Sequence, residues 1–244
     1  MRNGSARAPQ ERPAETDVAI IGGGLLGCAL AFKLAQAGVD VMVLERDELN
    51  REASGTNAGS LHIQLLRPPG MEDAWLERFR PLVPLHADSG RAWRRLEAEA
   101  GIRVGVRMHG GLLVAQTPAQ LEMLKKKVAI ERAGGLETSL VSGGEARALC
   151  PLLSDSVIGA DYCPDDGVAN SLLVAPALAR RAAECGARVA LRHEVLAIEA
   201  LAARRFRLRT AGRDDDPARA DVAAGGAEAE APRGQRLDRQ HLVP

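Results

Sequence analysis

The stretch that decides the fold is DVAIIGGGLLGCALAFKLAQAGVDVMVLE, residues 17–45. It opens with a short apolar run that ends at glycines, which is typical of a strand buried in a parallel sheet. Gly38 is placed to end the helix that follows, and the apolar run Val39–Leu44 predicts a second strand. Together they predict a βαβ unit and an α/β fold. The expected apolar face of the helix consists of Leu26, Leu30, Leu34 and Ala37.

Three glycines in this unit form the pattern GxGxxG, and each has its own physical role. Gly22 allows the tight turn, Gly24 lets a pyrophosphate approach the backbone, and Gly27 lets helix and strand pack closely. The helix N-terminus offers N–H groups and a partial positive charge to phosphates. Glu45 ends the second strand, where it can accept hydrogen bonds from ribose hydroxyls and disfavours a 2′-phosphate. The pattern predicts an adenine dinucleotide other than NADP, with contacts at Gly22, Gly24, Leu25, Leu26, Gly27, Glu45 and Arg46. The alternative is a glycine-rich turn of another α/β protein.

The residues after Glu45 distinguish FAD from NAD. Residues 46–59 read RDELNREASGTNAG, a run rich in small residues whose backbone N–H groups can line a pyrophosphate and then a flavin. A Rossmann dehydrogenase would continue with a further regular βαβ repeat, which this sequence lacks. The sequence therefore predicts FAD as the cofactor. The expected contacts in this loop are at Ser54, Thr56, Asn57, Ala58 and Gly59.

The composition of the 244-residue chain excludes several other classes of function. Lysine plus arginine and aspartate plus glutamate number 32 each, and aromatic residues make up 2%, so nothing favours a nucleic-acid partner. No apolar stretch approaches the roughly 20 residues of a transmembrane helix, and residues 1–15 do not resemble a secretory signal. The cysteines form no CxxC pair, so no metal site is expected and a cytoplasmic location fits. They are Cys28, Cys150, Cys163 and Cys185, and Cys28, which falls inside the predicted helix, is interpreted as a small buried residue.

Patterns further along the chain predict additional elements. Thr117–Gln120 resembles a capping box with proline at the first helical position, and the helix after it ends at Gly134. The run Lys125–Lys127 on that helix is expected to be a solvated face. Val104–Val114 predicts two short strands interrupted by glycines.

The motifs together resemble the FAD-dependent amino-acid and amine oxidoreductases, a family that includes glycine oxidase, D-amino-acid oxidases and dehydrogenases, and subunits of sarcosine and opine oxidases. The resemblance is carried by residues 17–46 and by REASGTNAGSLH at residues 51–62, and it covers roughly residues 16–210. It implies a Rossmann-like FAD-binding domain with a central parallel sheet, plus part of an α+β substrate domain. It also implies that the backbone of Val195 lies against the adenine.

The resemblance further implies oxidation of the C–N bond of an amino acid or amine by hydride transfer to flavin, with a partner subunit or an oligomer left open. The family's C-terminal half is not visible, so the chain is expected to be a truncated form that holds FAD weakly. The expected divisions are a disordered tail at 1–15, the FAD-binding domain at 16–85 and 164–210, the substrate domain at 86–163, and a disordered or aberrant tail at 211–244.

Two other functions stay open at this stage. One is an NAD(P)H-dependent flavoprotein reductase, which would need a second GxGxxG that the sequence does not supply. The other is an inactive, partly folded fragment. No catalytic residue is assigned: His62 could contact or bind the flavin, but a satisfied polar residue is favoured, and His109 and Arg67 are weaker candidates still.

Overall fold

The computed structural model describes residues 14–66, 73–201, 205–211 and 221–224. The described strands are β1 (Ala14–Thr16), β2 (Val18–Ile21), β3 (Val41–Leu44), β4 (Ser60–Leu61), β5 (Gly111–Ala115), β6 (Ser139–Ser142), β7 (Gly159–Cys163), β8 (Gly167–Val168), β9 (Arg188–Ala190), β10 (Glu194–Ala200), β11 (Phe206–Ala211) and β12 (Asp221–Ala224). The described helices are α1 (Leu25–Gln36), α2 (Asp73–Phe79), α3 (Val83–Ala100), α4 (Pro118–Ala133), α5 (Gly143–Leu149) and α6 (Val174–Glu184), with a 3₁₀ helix at Arg80–Leu82.

These elements form two compact units. The first contains the described residues up to Leu49 and those from Ala182 onward, and the second contains Asn50–Arg181. The predicted α/β class with a parallel sheet is confirmed. Among the described helices, none combines the length and apolar character needed to span a membrane.

The first unit contains the parallel sheet predicted from the glycine-rich stretch. Its strand order is β2-β3-β9, and all the pairings are parallel. Every residue of β3 is buried, which explains why its sequence, VMVL, is apolar throughout instead of alternating. The βαβ unit is therefore confirmed, with β2 and β3 as its strands and α1 between them.

The buried face of α1 is not the one predicted. Leu26 is 82% exposed and Leu30 is 44% exposed, whereas the buried residues are Cys28, Ala31, Phe32 and Ala35. The orientation of α1 about its own axis follows from Gly27, since a Cβ there would lie 2.0 Å from the carbonyl oxygen of Gly22. Because the Gly27 side of α1 rests on the turn, the small residues one and two turns later, Ala31 and Ala35, face inward as well. The leucine spacing was the clearer pattern in the sequence, but the close packing of α1 on the turn places small residues on its inward face.

A second sheet in the first unit has the order β1-β12-β11-β10. The sequence predicted a disordered tail from residue 211, yet Asp221–Ala224 pair with both β11 and β1. This short segment is ordered as a strand because neighbours on both sides satisfy its backbone hydrogen bonds, which local composition does not reveal. Ala14 and Glu15 of the predicted N-terminal tail likewise lie in β1, and Ala211 ends β11. The remaining predicted tail residues, 1–13, 212–220 and 225–244, lie outside the described residues.

The second unit contains an antiparallel sheet of order β5-β7-β6 and the short pair β4-β8. Only the second of the two strands predicted within Val104–Val114 forms, as β5. The earlier residues make a single bridge, between Arg107 and Val168. These residues do not form the predicted strand because the amides of Val104 and Gly105 donate to the Glu97 carboxylate, at 2.6 and 2.9 Å, and not to a neighbouring strand.

Helix α4 begins and ends where its sequence predicts. Thr117 and Gln120 form the reciprocal capping box, and Gly134 is the C-cap residue. The expectation of a solvated lysine face holds for Lys125, which is exposed and pairs with Glu122. It is wrong for Lys127, which is completely buried. The reason is tertiary: the same side of α4 buries Leu124, Val128 and Glu131, and two of the three partners of Lys127 lie outside α4.

Candidate functional site

The first candidate region is the glycine turn between β2 and α1. The amide of Gly22 donates to the carbonyl of Leu44 at 2.8 Å, which ties the turn to the end of β3. Gly22 has a φ of +106°, in the left-handed region that favours glycine. Gly24 is the N-cap residue of α1 and has no side chain with which to cap the helix. The N-cap residue itself therefore does not compete with a ligand at this helix N-terminus.

Glu45 faces this turn from the end of β3. Its Oε2 accepts the amide of Gly23 at 2.7 Å and its Oε1 accepts the amide of Asp47 at 2.9 Å. The amide of Glu45 donates to the carbonyl of Ala190 at 2.9 Å, so the neighbouring strand β9 fixes the backbone that presents the carboxylate. The acid and the helix N-terminus are thus held on the two sides of one glycine turn.

Gly23 is a residue of this site that sequence reasoning missed. Its amide binds the Glu45 carboxylate, and a Cβ at this position would lie 2.4 Å from Cδ2 of Leu49. The available signal was the unbroken run of Gly22, Gly23 and Gly24, since the GxGxxG pattern leaves its second position unspecified. The site therefore depends on four glycines, not three.

Cys28 lies next to the glycine turn, where its Sγ donates to the carbonyl of Gly23 at 3.4 Å. Burial, and to a lesser extent the negative charge of Glu45, raise the pKa of the Cys28 thiol to about 11. The interpretation of Cys28 as a small buried residue is confirmed by its complete burial. Nothing in its surroundings favours the reactive thiolate form.

We expect iodoacetamide at pH 8 to alkylate the exposed Cys185 at least about tenfold faster than Cys28, because the thiolate is the nucleophile. Peptide mass spectrometry of the native protein over a time course measures both rates in one sample. The same reaction in denaturant is the control, in which both cysteines should react alike. Comparable native rates would show that Cys28 is not enclosed by the turn.

The remaining predicted contacts in the first unit are Arg46 and Val195. Arg46 is exposed and directly follows Glu45. Val195 lies in β10 at an irregularity in the pairing with β11, and its side chain packs on a cluster formed by Met42, Leu44 and Leu208. The Val195 side chain therefore belongs to the core, and the predicted adenine contact concerns its backbone. That contact stays a prediction.

The predicted flavin loop, Ser54–Gly59, belongs to the second unit. Asn57 organises it: its Nδ2 donates to the carbonyls of Ala53 and Ser54 at 2.9 and 2.8 Å, and its Oδ1 accepts the amide of Gly59. Gly59 has a φ of +74°, and a Cβ there would lie 2.1 Å from the carbonyl oxygen of Ala169. Thr56 and Ala58 are exposed. The loop is thus a compact turn held by its own side chains, and its contacts with a cofactor stay predictions.

Two of the three weaker candidates lie in the described part of the chain. His62 is exposed and lies directly after β4, close in sequence to the flavin loop. His109 is exposed as well. Arg67 lies outside the described residues. Among the described residues, no group of three or more histidine, cysteine, aspartate or glutamate side chains is placed to hold a metal ion.

Sequence reasoning also missed a buried charged cluster in the second unit, formed by Lys127, Glu131, Asp161 and Gln64. The Nζ of Lys127 donates to Asp161 Oδ2 at 2.5 Å, to Glu131 Oε1 at 2.7 Å and to Gln64 Oε1 at 3.1 Å. The Lys127, Glu131 and Asp161 side chains are fully buried, and Gln64 is nearly so. One lysine therefore serves two buried carboxyl groups. The i, i+4 spacing of Lys127 and Glu131 was the only sequence signal, and it is equally typical of an exposed ion pair.

The cluster holds one more acid than base, which changes the chemistry of Glu131. Burial raises the pKa of Glu131 to about 7, against the attraction of Lys127, and the negative charge of Asp161 raises it too. Glu131 Oε1 already accepts from Lys127 and from the amide of Leu65, whereas Oε2 is buried without a hydrogen-bond partner. Because Oε1 already accepts two hydrogen bonds, Oε2 is the oxygen better placed to carry a proton when Glu131 is neutral.

Replacing Glu131 by glutamine is expected to remove a pH dependence of stability. A carboxyl group whose pKa is higher in the folded protein stabilises fully below its unfolded value, near 4.5, and this contribution is lost as the pH rises through about 7. Between these limits, wild type should lose stability relative to Glu131→Gln by roughly 1.4 kcal/mol per pH unit. Urea unfolding of both proteins at pH 5, 6, 7 and 8 measures the difference. A constant difference would show that Glu131 does not change its proton occupancy on folding.

Comparison with known proteins places these features in context. A sequence model described as "DAO: FAD dependent oxidoreductase" matches residues 17–244. Mitochondrial sarcosine dehydrogenase from Homo sapiens is 33% identical over 179 residues, which cover 72% of this chain and 18% of that protein. An opine oxidase subunit from Rhizobium meliloti is 30% identical over 194 residues, which cover 76% of this chain and 50% of that protein.

A solved structure gives the same result at the level of the fold. The crystal structure of glycine oxidase from Geobacillus kaustophilus aligns with a TM-score of 0.65 and 29% identity, over 87% of this chain and 54% of that one. The chain spans half or less of the length of the two curated relatives.

Proposed function

Because the chain belongs to the family of FAD-dependent oxidoreductases, we propose that it binds FAD through the glycine turn and Glu45. The prediction of FAD as the cofactor is confirmed by this family. We further propose that the whole protein oxidises the C–N bond of an amino acid or a secondary amine. The flavin, when bound, supplies this chemistry by accepting a hydride from the carbon next to the nitrogen.

One observation is central to the proposal: the Glu45 carboxylate lies 2.7 Å from the amide of Gly23, beside a helix N-terminus whose N-cap residue is a glycine. This arrangement fits an adenosine diphosphate group. The first turn of α1 offers a positive dipole end to the pyrophosphate, and Glu45 offers two acceptor oxygens to the ribose hydroxyls. Gly22 and Gly27 keep the turn tight enough for both groups to reach one ligand.

The names of the relatives support a proposal for the substrate class. Sarcosine, glycine and opines all contain a nitrogen bonded to a carbon next to a carboxylate, and the relatives are named as their dehydrogenase or oxidases. We propose the same bond as the site of oxidation here. The part of this chain is to hold the flavin and exclude water from it, with Ser54–Gly59 lining the flavin side.

The wider organisation is also a proposal. Residues 16–85 and 164–210 would form the FAD-binding domain, and 86–163 the start of the substrate domain. The opine oxidase relative is named as one subunit of its enzyme, which supports a partner subunit for this protein as well. The cytoplasmic location expected from the cysteine content stays a prediction.

An FAD titration tests the proposal directly. Replacing Glu45 by alanine removes the two ribose acceptors, and charged hydrogen bonds are worth about 1.5–3 kcal/mol each. We therefore expect the FAD affinity to fall by at least about tenfold. Glu48→Ala is the matched control, since Glu48 lies three residues on and pairs with Arg192 at the surface. Quenching of flavin fluorescence monitors the titration. The titration is continued to an excess of FAD over protein, because the chain is expected to hold FAD weakly.

Two results would contradict the proposal. Wild-type protein that shows no saturable FAD binding would remove the cofactor assignment for this chain. Equal affinities for wild type and Glu45→Ala, with the fold intact by circular dichroism, would show that FAD binds elsewhere.

A further inference from the structure

The segment Ile63–Leu65 is held by side chains in place of a neighbouring strand. Oδ1 of Asp166 accepts the amides of Ile63 and Gln64 at 2.7 and 2.9 Å, and Oε1 of Glu131 accepts the amide of Leu65 at 2.7 Å. All three amides of this segment therefore donate to buried carboxyl groups. Burying these two acids costs free energy that the hydrogen bonds to the segment help to offset.

The side chains of the segment alternate between two environments. Ile63 and Leu65 pack into the hydrophobic core of the second unit. Gln64 points the other way and is 2% exposed. Its Nε2 donates to Asp166 Oδ2 at 2.8 Å, and its Oε1 accepts from Lys127 Nζ at 3.1 Å. The Gln64 amide is thus oriented by an acceptor on one side and a cation on the other, so it cannot flip without placing two donors together.

Lys127 links both attachments of the segment. It donates to Gln64, and it donates to the same Glu131 oxygen that accepts the amide of Leu65. It also offsets the charge of Asp161, whose Oδ2 it contacts. Without Lys127, Gln64 would keep only its side-chain bond to Asp166, and the carboxyl groups would lose their only cation within the cluster.

The segment continues directly from the proposed flavin loop. Gly59 ends the loop, and Ser60–Leu61, as β4, pair with Gly167–Val168, as β8. The residues that follow β8 hold the loop itself, since the amide of Ala169 donates to the carbonyl of Gly59 and Ser171 Oγ donates to the carbonyl of Asn57. Residues 54–65 and 166–171 therefore run side by side, and Asp166 and Lys127 secure the end nearest the core.

We propose that Lys127 is a positioning residue, which holds Ile63–Leu65 through Gln64 and Glu131 and thereby sets the position of the Ser54–Gly59 loop against the flavin. This role rests on the function proposed above. Lys127 touches no reacting atom; it acts through the backbone of the segment that leaves the loop.

Two variants interrupt the arrangement at different points. Lys127→Met removes the cation at similar length, and Asp166→Asn keeps the size of the side chain while turning one acceptor into a donor that faces the Gln64 amide. Each has a matched control. Lys125→Met alters an exposed lysine on the same helix, and Asp165→Asn alters the neighbouring carboxylate, which pairs with Arg94.

Two readouts follow the segment and the flavin separately. Hydrogen exchange by NMR or peptide mass spectrometry should show amides 63–65 exchanging at least about tenfold faster in both variants, relative to the amides of β5 in the same protein. With saturating FAD, the visible circular dichroism of the bound flavin should change in both variants and stay unchanged in both controls. A role in global stability alone would accelerate exchange evenly and leave the flavin signal of the folded protein unaltered.

The outcomes distinguish the positioning role of Lys127 from the proposed binding of FAD. Bound flavin with an unchanged dichroism signal in Asp166→Asn and in folded Lys127→Met overturns the positioning role and leaves the proposed function standing. Wild type without FAD binding overturns both. If Lys127→Met does not fold, Asp166→Asn decides the question with the same two readouts.

Discussion

An alanine at position 27 is expected to reduce FAD affinity on the order of 100-fold, about 2.7 kcal/mol of binding free energy. The added Cβ would lie 2.0 Å from the carbonyl oxygen of Gly22, whereas real Cβ atoms essentially never come within 3.0 Å of such an atom. Helix α1 must therefore withdraw from the turn by about 1 Å or more. That displacement takes the first-turn amides away from the pyrophosphate position that Glu45 defines from the other side.

The control for Gly27→Ala lies one helical turn away. Leu30 is 44% exposed on the same helix, so Leu30→Ala should leave FAD affinity within about twofold. Fluorescence titration gives both affinities, and far-UV circular dichroism distinguishes loss of the cofactor from loss of the fold. Gly27→Ala with wild-type affinity would mean that the helix end is not the phosphate site.

What could be predicted from the sequence was mostly local chemistry. The glycine turn, the capping box at Thr117 and the helix end at Gly134 all depend on residues within a few positions of one another. Glu45 was predictable for the same reason, because it ends a strand whose start and partner lie within thirty residues. The glycine turn and Glu45, which form one part of the proposed FAD site, were therefore predictable without knowledge of the rest of the fold.

What could not be predicted depends on contacts between distant parts of the chain. Lys127 is indistinguishable from Lys125 in the sequence, yet one is buried and the other exposed, because Asp161 and Gln64 come from elements 34 and 63 residues away. The strand at Asp221–Ala224 forms only because β1 and β11 flank it. The inward face of α1 followed from close packing at Gly27, which a leucine pattern does not report.

Replacing Lys127 by methionine should lower the free energy of unfolding of the second unit by about 3–5 kcal/mol at pH 8. The attraction between Lys127 and its partners does not by itself set this magnitude, since burying an ion pair also costs desolvation energy. The loss arises mainly because the variant leaves Glu131 and Asp161 buried with no cation in the cluster, and each has an oxygen that already lacks a hydrogen-bond partner. Urea unfolding followed by circular dichroism measures the change, with Lys125→Met, an exposed pair worth under about 1 kcal/mol, as the control.

The same argument predicts how the loss can be reversed. Lowering the pH from 8 to 5 lets Glu131 take up a proton, so the penalty of Lys127→Met should shrink as the uncompensated charge is removed. Adding Glu131→Gln and Asp161→Asn to Lys127→Met leaves no buried charge among these three residues, and the triple variant should recover most of the lost stability, because neutral replacements of a buried ionic cluster are often tolerated. If the triple variant were as unstable as Lys127→Met, the loss would arise from the missing hydrogen bonds of Lys127 and not from uncompensated charge.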